Sequence, residues 1–177
     1  REIRKRVAMV FQSAALFDSL TAAENVAFPL LERGNLDEEA ITRRVRELLE
    51  TVELEDYADH MPADLSTGMK RAVAIARALV AEPEALLYDE PTTMVDPLMA
   101  QTITDLICKL KQKFHKTSIV VTHDVRLATR LADRLVFLHE GRVAFFGTVP
   151  EWNQAQQEFI QNFRLLDTLP VSGVIST

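Results

Sequence analysis

The hydrophobic positions of this chain form short unbroken runs separated by stretches with a helical period. Three runs predict strands: RVAMVF at 6–11, ALLY at 85–88 and SIVVT at 118–122. The second and third runs lack the polar alternation of a half-exposed strand, so both are predicted to be buried, the second on both faces. Helical periodicity fills most of the sequence between them. Because strands that alternate with helices favour a parallel sheet, the predicted fold class is α/β.

Polar residues mark the starts of the predicted helices. Ser66 can cap a helix that runs to about residue 81, and Asp96 followed by Pro97 is a strong helix start. A hairpin turn is predicted near residue 140. The chain is therefore predicted to contain a helical subdomain inserted at about 13–81, the remainder of an α/β core at about 82–150, and a C-terminal helical tail at 151–177.

Each predicted strand is followed by residues that can bind a ligand. Gln12 follows the first strand, Asp89 and Glu90 end the second, and His123 follows the third. If the strands are parallel neighbours, all four residues meet at the carboxyl edge of the sheet, where α/β proteins bind ligands. A single Gln or His after a strand is more often a loop hydrogen-bonding group. The coincidence of three such strand ends favours a functional site.

Composition narrows the class of protein. The formal net charge of −6 argues against a general nucleic-acid binder, which would favour a basic face. The single cysteine, Cys108, cannot form an internal disulfide and suits a reducing cytoplasm. No apolar run approaches the ~20 residues that a membrane-spanning helix needs. We therefore expect any membrane role to depend on a partner.

Five short motifs stand in a specific order along the chain. They are VFQ at 10–12, LSTGM at 65–69, LLYDEP at 86–91, TTMVDP at 92–97 and VTHD at 121–124. In this order they resemble the Q-loop, the signature, Walker B with its glutamate, the D-loop and the switch histidine of ABC transporter ATP-binding subunits. The resemblance extends to about residue 150. It implies a P-loop NTPase (RecA-like) core with a helical subdomain insertion.

The resemblance implies an ATPase that uses ATP and Mg²⁺. Asp89 would hold the metal, because a hard cation prefers oxygen ligands, and Glu90 would polarise or orient the attacking water. His123 would bind the γ-phosphate. Gln12 would touch the metal or the water and link the nucleotide state to rotation of the helical subdomain.

The signature and the D-loop imply a second subunit. In this family Ser66 and Gly68 would bind the phosphates of a nucleotide held by the opposite subunit. Asp96 would lie at the same dimer interface and would also cap its own helix. Thr67 replaces the first of the two glycines usual in the signature. Its Cβ would restrict the approach of the backbone and cost energy if φ were positive.

The phosphate-binding loop of the family has no counterpart here. No GxxxxGK[ST] motif occurs in the sequence, although that loop supplies the backbone cradle and the lysine for the β- and γ-phosphates. In the family it precedes the Q-loop. We therefore expect the sequence to be an N-terminally truncated ATPase domain, and we expect these residues alone to bind ATP poorly and hydrolyse it negligibly.

The segment SAALFDSLTAAENVAFPL at 13–30 resembles the ATPases of Mla-type phospholipid transport systems, which work with MCE-domain lipid-binding proteins. This resemblance implies a membrane permease as partner, a homodimer, and a cytoplasmic, peripheral position on the inner face of the membrane. Leu16, Phe17 and Leu20 could line a groove that receives a permease helix, or they could simply pack inside the helical subdomain. Two alternatives stay open: a non-transport ABC ATPase, and a non-catalytic subunit that lends its signature to a partner.

Overall fold

The computed structural model describes Ile3, residues 6–34 and residues 37–168, with side chains described as far as Leu165. The chain forms two compact units, residues 1–122 and residues 123–177. This division falls inside the predicted core remainder at 82–150, and the domain boundaries inferred from the sequence stay a prediction. No helix in the described part of the chain is long and apolar enough to cross a membrane.

The first unit contains a three-stranded parallel sheet. Its strands are β1 (Val7–Val10), β2 (Ala85–Asp89) and β3 (Thr117–Val121), arranged in the order β1-β2-β3. Each strand lies within two residues of its predicted bounds. The parallel sheet and the α/β fold class predicted from the sequence are confirmed.

The burial of two strands differs from its prediction. Leu86 and Tyr88 on one face of β2 are buried, but Leu87 on the other face is only half-buried. In β3, Ile119 and Val121 are each 57% exposed. Burial depends on which elements cover each face of a sheet, so the apolar composition of a strand indicates its type but does not determine its exposure.

Helices follow each of the first two strands. They are α1 (Ala22–Arg33), α2 (Glu38–Thr51), α3 (Thr67–Val80) and α4 (Pro97–Phe114), with short 3-10 turns at Glu55–Tyr57 and Pro62–Asp64. A capping box begins α1: Glu24 N donates to Thr21 Oγ1, and Thr21 N donates to the Glu24 carboxylate. The same helix ends at Gly34, whose φ of 72° is the left-handed conformation that glycine adopts without strain.

The helix α3 occupies the core of the first unit. Val73 and Ala76 are fully buried, and Ile75 is almost so. The helix packs against α1, α2, α4 and β1. A helix with apolar residues on nearly all sides belongs in a protein interior. Helix α3 thus contacts both the other helices of the predicted insertion and strand β1 of the parallel sheet.

The second unit is built on an antiparallel hairpin. It contains α5 (Val125–Leu131), β4 (Leu135–His139), β5 (Arg142–Gly147), α6 (Val149–Gln154) and α7 (Glu158–Thr168). Glu140 and Gly141 form the turn with φ values of 48° and 72°, so the predicted hairpin is confirmed. Ile160 of α7 is fully buried beside Trp152, and the ring of Phe137 packs against this cluster. The described helices of the predicted tail, α6 and α7, therefore contribute to the core of this unit.

Candidate functional site

Strand pairing brings three of the predicted site residues to one edge of the sheet. Val10 at the end of β1 pairs with Tyr88 of β2. Gln12 follows β1 by two residues, Asp89 is the last residue of β2, and Glu90 follows it. All three are half-buried. Because the two strands are parallel, Gln12, Asp89 and Glu90 leave the sheet at the same carboxyl edge.

The backbone turns sharply at Glu90. This residue has a φ of 46°, in the left-handed region that non-glycine residues rarely adopt. Its N–H donates to the Val121 carbonyl oxygen at 2.9 Å, and its carboxylate accepts a hydrogen bond from Thr93 Oγ1 at 3.0 Å. The Glu90 carboxylate is thus oriented by a neighbour three residues away, in a loop that immediately follows the central strand.

The side chain of Arg71, in α3, binds the main chain of the same loop. Only 4% of its surface is exposed, and its guanidinium donates to the carbonyl oxygens of Glu90 at 3.1 Å, of Pro91 at 2.6 Å, and of Thr93. Burial lowers the pKa of Arg71, yet a guanidinium keeps its charge in proteins. Our sequence prediction missed this residue. An arginine within the apolar run of α3 is the signal that could have identified it.

Arg77, six residues further along α3, holds the segment that follows Gln12. Its guanidinium donates to the carbonyl oxygens of Ala14 and Ala15, each at 2.8 Å. Both alanines have positive φ, 63° and 45°. Desolvation lowers the pKa of Arg77 as it does for Arg71. The two arginines of one helix therefore hold the loops after β1 and β2.

Asn25 of α1 fixes the next part of the chain. It is fully buried, and its Oδ1 accepts a hydrogen bond from Phe17 N at 2.9 Å. Its Nδ2 donates to the carbonyl oxygens of Phe17, Leu20 and Thr21 at 3.1, 2.9 and 3.0 Å. The segment between Gln12 and α1 is thus fastened at both ends, and the sequence analysis assigned no role to Asn25.

The predicted signature residues lie at the start of α3. Ser66 is exposed and caps the helix, its Oγ accepting a hydrogen bond from Met69 N at 3.2 Å. Thr67 is the first helical residue, so its backbone has no positive φ to strain its Cβ. The departure from the usual glycine therefore does not distort the helix start.

Gly68 differs from Ser66 in being buried. A Cβ at this position would lie 2.0 Å from Met99 Sδ, so the missing side chain permits close packing of α3 on the first turn of α4. Asp96 caps α4 by accepting a hydrogen bond from Met99 N at 3.0 Å, which confirms its predicted capping role. The starts of the two helices are thereby joined through Met99.

His123 follows β3 by two residues, is exposed, and belongs to the second unit. Asp124 beside it caps α5 by accepting a hydrogen bond from Leu127 N at 2.9 Å. The phosphate-binding role of His123 stays a prediction.

The residues at the sheet edge suit a hard divalent cation. The carboxylate of Asp89 and the side-chain carbonyl of Gln12 offer the oxygen ligands that Mg²⁺ prefers, and Mg²⁺ usually takes only one or two carboxylates beside phosphate and water. These residues therefore fit Mg²⁺ bound together with an anionic ligand.

Parallel α/β sheets bind ligands at the carboxyl ends of their strands, and two carboxylates lie at that end of the central strand here. Residues 1–93 match the protein family described as ABC transporter, which is just over half of the 177 residues. The chain belongs to the ABC transporter family. Its resemblance to ABC ATP-binding subunits and the P-loop NTPase fold class predicted from the sequence are confirmed.

Two proteins and one solved structure show how the chain relates to this family. The methionine import ATP-binding protein MetN of Carboxydothermus hydrogenoformans is 40% identical over 163 residues, covering 89% of this chain and 48% of MetN. The intermembrane phospholipid transport system ATP-binding protein MlaF of Haemophilus influenzae is 40% identical over 162 residues, covering 92% of this chain and 61% of MlaF. The chain spans about half the length of the curated relatives it matches.

The solved structure is that of the dimeric ATP-binding cassette MJ0796 in a post-hydrolysis state with ADP and Pi. Its TM-score with this chain is 0.72 at 38% sequence identity, covering 84% of this chain and 65% of the cassette. The described fold is thus similar to that of an ABC cassette.

Proposed function

We propose that the full-length protein containing this chain binds ATP with Mg²⁺ and hydrolyses it. The observation that carries this proposal is the meeting of Gln12, Asp89 and Glu90 at the carboxyl edge of the parallel sheet in a member of the ABC transporter family. Ligands of parallel α/β sheets bind at this edge. The similarity to a cassette described with ADP and Pi supports the same assignment.

Each residue at the edge has the chemistry that its role requires. Asp89 and Gln12 would hold Mg²⁺, which when bound would supply positive charge beside the phosphates. Glu90, whose carboxylate accepts a hydrogen bond from Thr93, would orient the attacking water or accept its proton. His123 would donate a hydrogen bond to the γ-phosphate and so respond to its presence.

A second subunit would complete the site. The exposed Ser66 and the N–H groups of the first turn of α3 form a helix start suited to phosphate. Gly68, which has no side chain, would let the backbone lie close to that phosphate. We assign Ser66, Gly68 and Asp96 to the interface with a second copy and its nucleotide. The dimeric state given for MJ0796 supports this assignment.

We further propose that hydrolysis drives a membrane permease, with the protein bound to the cytoplasmic face of the membrane through that permease. Phe11 and Phe17, beside the Gln12 loop, are 46% and 43% exposed and would contact a permease helix. The cargo proposed is phospholipid, with an MCE-type lipid-binding protein as a further partner, and the similarity to MlaF supports it. The equal identity to MetN makes methionine import the second candidate.

The catalytic proposal is tested by Glu90→Gln in the full-length protein assembled with its membrane partner. The amide keeps the size of the side chain but cannot accept a proton, so we expect turnover to fall at least about 100-fold while ATP binding changes little. Glu140→Gln is the matched control, because Glu140 also has a positive φ, of 48°, but lies in the exposed turn of the second unit. Near-normal turnover of Glu90→Gln would exclude the proposed role of Glu90.

The cargo is tested by reconstituting the complete transporter in liposomes with labelled phospholipid or labelled methionine. ATP-dependent movement of phospholipid that is lost in Glu90→Gln supports the first candidate. Movement of methionine alone would support the second candidate and contradict the first.

A further inference from the structure

One buried side chain of α3, that of Arg71, donates hydrogen bonds to the main chain of the loop after β2. We propose that Arg71 is a positioning residue, whose guanidinium holds the Glu90 loop in the geometry that hydrolysis requires. This inference rests on the proposed ATPase function of Glu90. It assigns to Arg71 no contact with nucleotide, because its hydrogen bonds go to the main chain of residues 90–93.

The backbone conformation of this loop is unfavourable by itself and has to be stabilised by contacts with other segments. Glu90 has a φ of 46° and Met94 one of 61°, both in the left-handed region, and Met94 is 86% exposed. Such backbone persists only where surrounding groups fix it. Within the loop, Thr93 N donates to the Glu90 carbonyl oxygen at 3.2 Å, a long hydrogen bond that closes the turn. Packing around Met94 adds little, because its side chain lies in solvent.

Arg71 supplies such contacts as hydrogen bonds from its guanidinium. A guanidinium is a planar fork with five N–H donors, so one side chain can fix several carbonyl oxygens in a set arrangement. Here the carbonyl oxygens of Glu90, Pro91 and Thr93 all accept from it. The turn that orients the Glu90 side chain is thus fastened to a helix that is itself buried in the core.

The charged guanidinium of Arg71 donates to these carbonyl oxygens and forms no ion pair within the described part of the chain. Among the residues that the structure describes, no carboxylate lies within ion-pair distance of its guanidinium. Burying a charge without a counter-ion is unfavourable unless hydrogen bonds replace the lost water. A methionine of similar length would fill the same space without that desolvation, so what the arginine adds is the fixed position of three carbonyl groups.

The experiment compares Arg71→Met, Arg71→Lys and the control Arg44→Met in the full-length protein with its membrane partner. Arg44 is a partly buried arginine of α2 that instead forms ion pairs with Glu47 and Glu82. We expect Arg71→Met to lower kcat about 10- to 100-fold, the range for a slightly misplaced catalytic group, with the Kd for ATP changed less than about 3-fold. Arg71→Lys should fall between the wild type and Arg71→Met.

A double-mutant cycle separates positioning from a merely structural role. If Arg71 acts through Glu90, Arg71→Met should cause less than about a 3-fold further loss in single-turnover hydrolysis once Glu90→Gln is present. An unchanged kcat in Arg71→Met, an equal loss of kcat and ATP affinity, or the same fold loss in both backgrounds would overturn the inference. If Arg71→Met does not fold, Arg71→Lys carries the same test.

Amide hydrogen exchange distinguishes failure of this inference from failure of the proposed function. Absence of hydrolysis by the wild-type assembly would refute the ATPase proposal itself. Exchange in a peptide covering 90–95 does not depend on turnover, and Arg71→Met should accelerate it at least about 10-fold, because the loop opens more often. An unchanged exchange rate in this peptide would refute the positioning role of Arg71. An equal increase of the exchange rate in Arg44→Met would also refute it, because it would show a general loss of stability.

Discussion

The fully buried amide of Asn25 offers a direct test of how the segment after Gln12 is held. In Asn25→Ala this amide is removed, and Phe17 N and the carbonyl oxygens of Phe17, Leu20 and Thr21 each lose one hydrogen bond. The rest of α1, including its capping box, is unchanged. The substitution therefore removes hydrogen bonds without introducing a charge or a larger side chain.

The expected loss of stability follows from the hydrogen bonds. The two amide hydrogens of Asn25 are shared among three carbonyl oxygens, and its oxygen accepts from Phe17 N at 2.9 Å, so three short interactions are lost together with a longer one, of 3.5 Å, from Arg77 Nη1. At about 1 kcal/mol for each interaction, the loss is about 3 kcal/mol. Alanine is the better helix former by about 0.5 kcal/mol, which partly offsets the loss. We expect a net destabilisation of about 2.5 kcal/mol.

Urea unfolding followed by circular dichroism measures this quantity. With a slope of about 2 kcal/mol per molar urea, the midpoint should fall by about 1 M. The control Gln101→Ala removes an exposed side-chain amide from α4 that bonds Asp105, and should change stability by less than about 0.5 kcal/mol. A loss in Asn25→Ala below about 1 kcal/mol would refute the view that the amide fixes this segment.

Two further predictions concern the second unit. The pKa of Glu151 is lowered because its carboxylate accepts hydrogen bonds from the N–H of Thr148 at 2.6 Å and from its hydroxyl at 2.8 Å. The stability gained from this carboxylate is complete above its ordinary pKa and is lost as pH falls through the lowered value. Thermal unfolding of Glu151→Gln should therefore depend less on pH below 4.5 than that of the wild type, and identical pH profiles would contradict this reasoning. Ile160→Ala should lower the free energy of unfolding by about 2–5 kcal/mol in urea titrations, because Ile160 is fully buried beside Trp152, and a loss below 1 kcal/mol would show that α7 is not packed.

Much of the local structure follows from short-range pattern. Strand runs, the helix start at Ser66 and the Asp96–Pro97 start all lie where periodicity and capping chemistry place them. These signals are local, since a cap involves residues three apart and a strand run involves neighbours. The meeting of Gln12 with Asp89 and Glu90 was also predictable, because parallel pairing brings strand ends to one edge.

The residues that hold the site were not predictable in the same way. Arg77 bonds carbonyl oxygens 62 and 63 positions earlier, and Arg71 bonds a loop about 20 positions later. Periodicity along one helix carries no information about which loop lies beside it. The exposure of Ile119 and Val121 is a similar case, because it depends on the elements that cover the strand.

The sequence by itself determined the parallel α/β class, the order of the motifs and the presence of carboxylates at the end of β2. It could do so because secondary structure and capping are set by residues close along the chain. Only the tertiary structure decided that Arg71 and Arg77 of α3 hold the loops after β2 and β1, and that Gly68 is a packing contact for Met99. These contacts join segments far apart in sequence, and only the packing of α3 in the core brings their atoms within hydrogen-bonding or van der Waals distance.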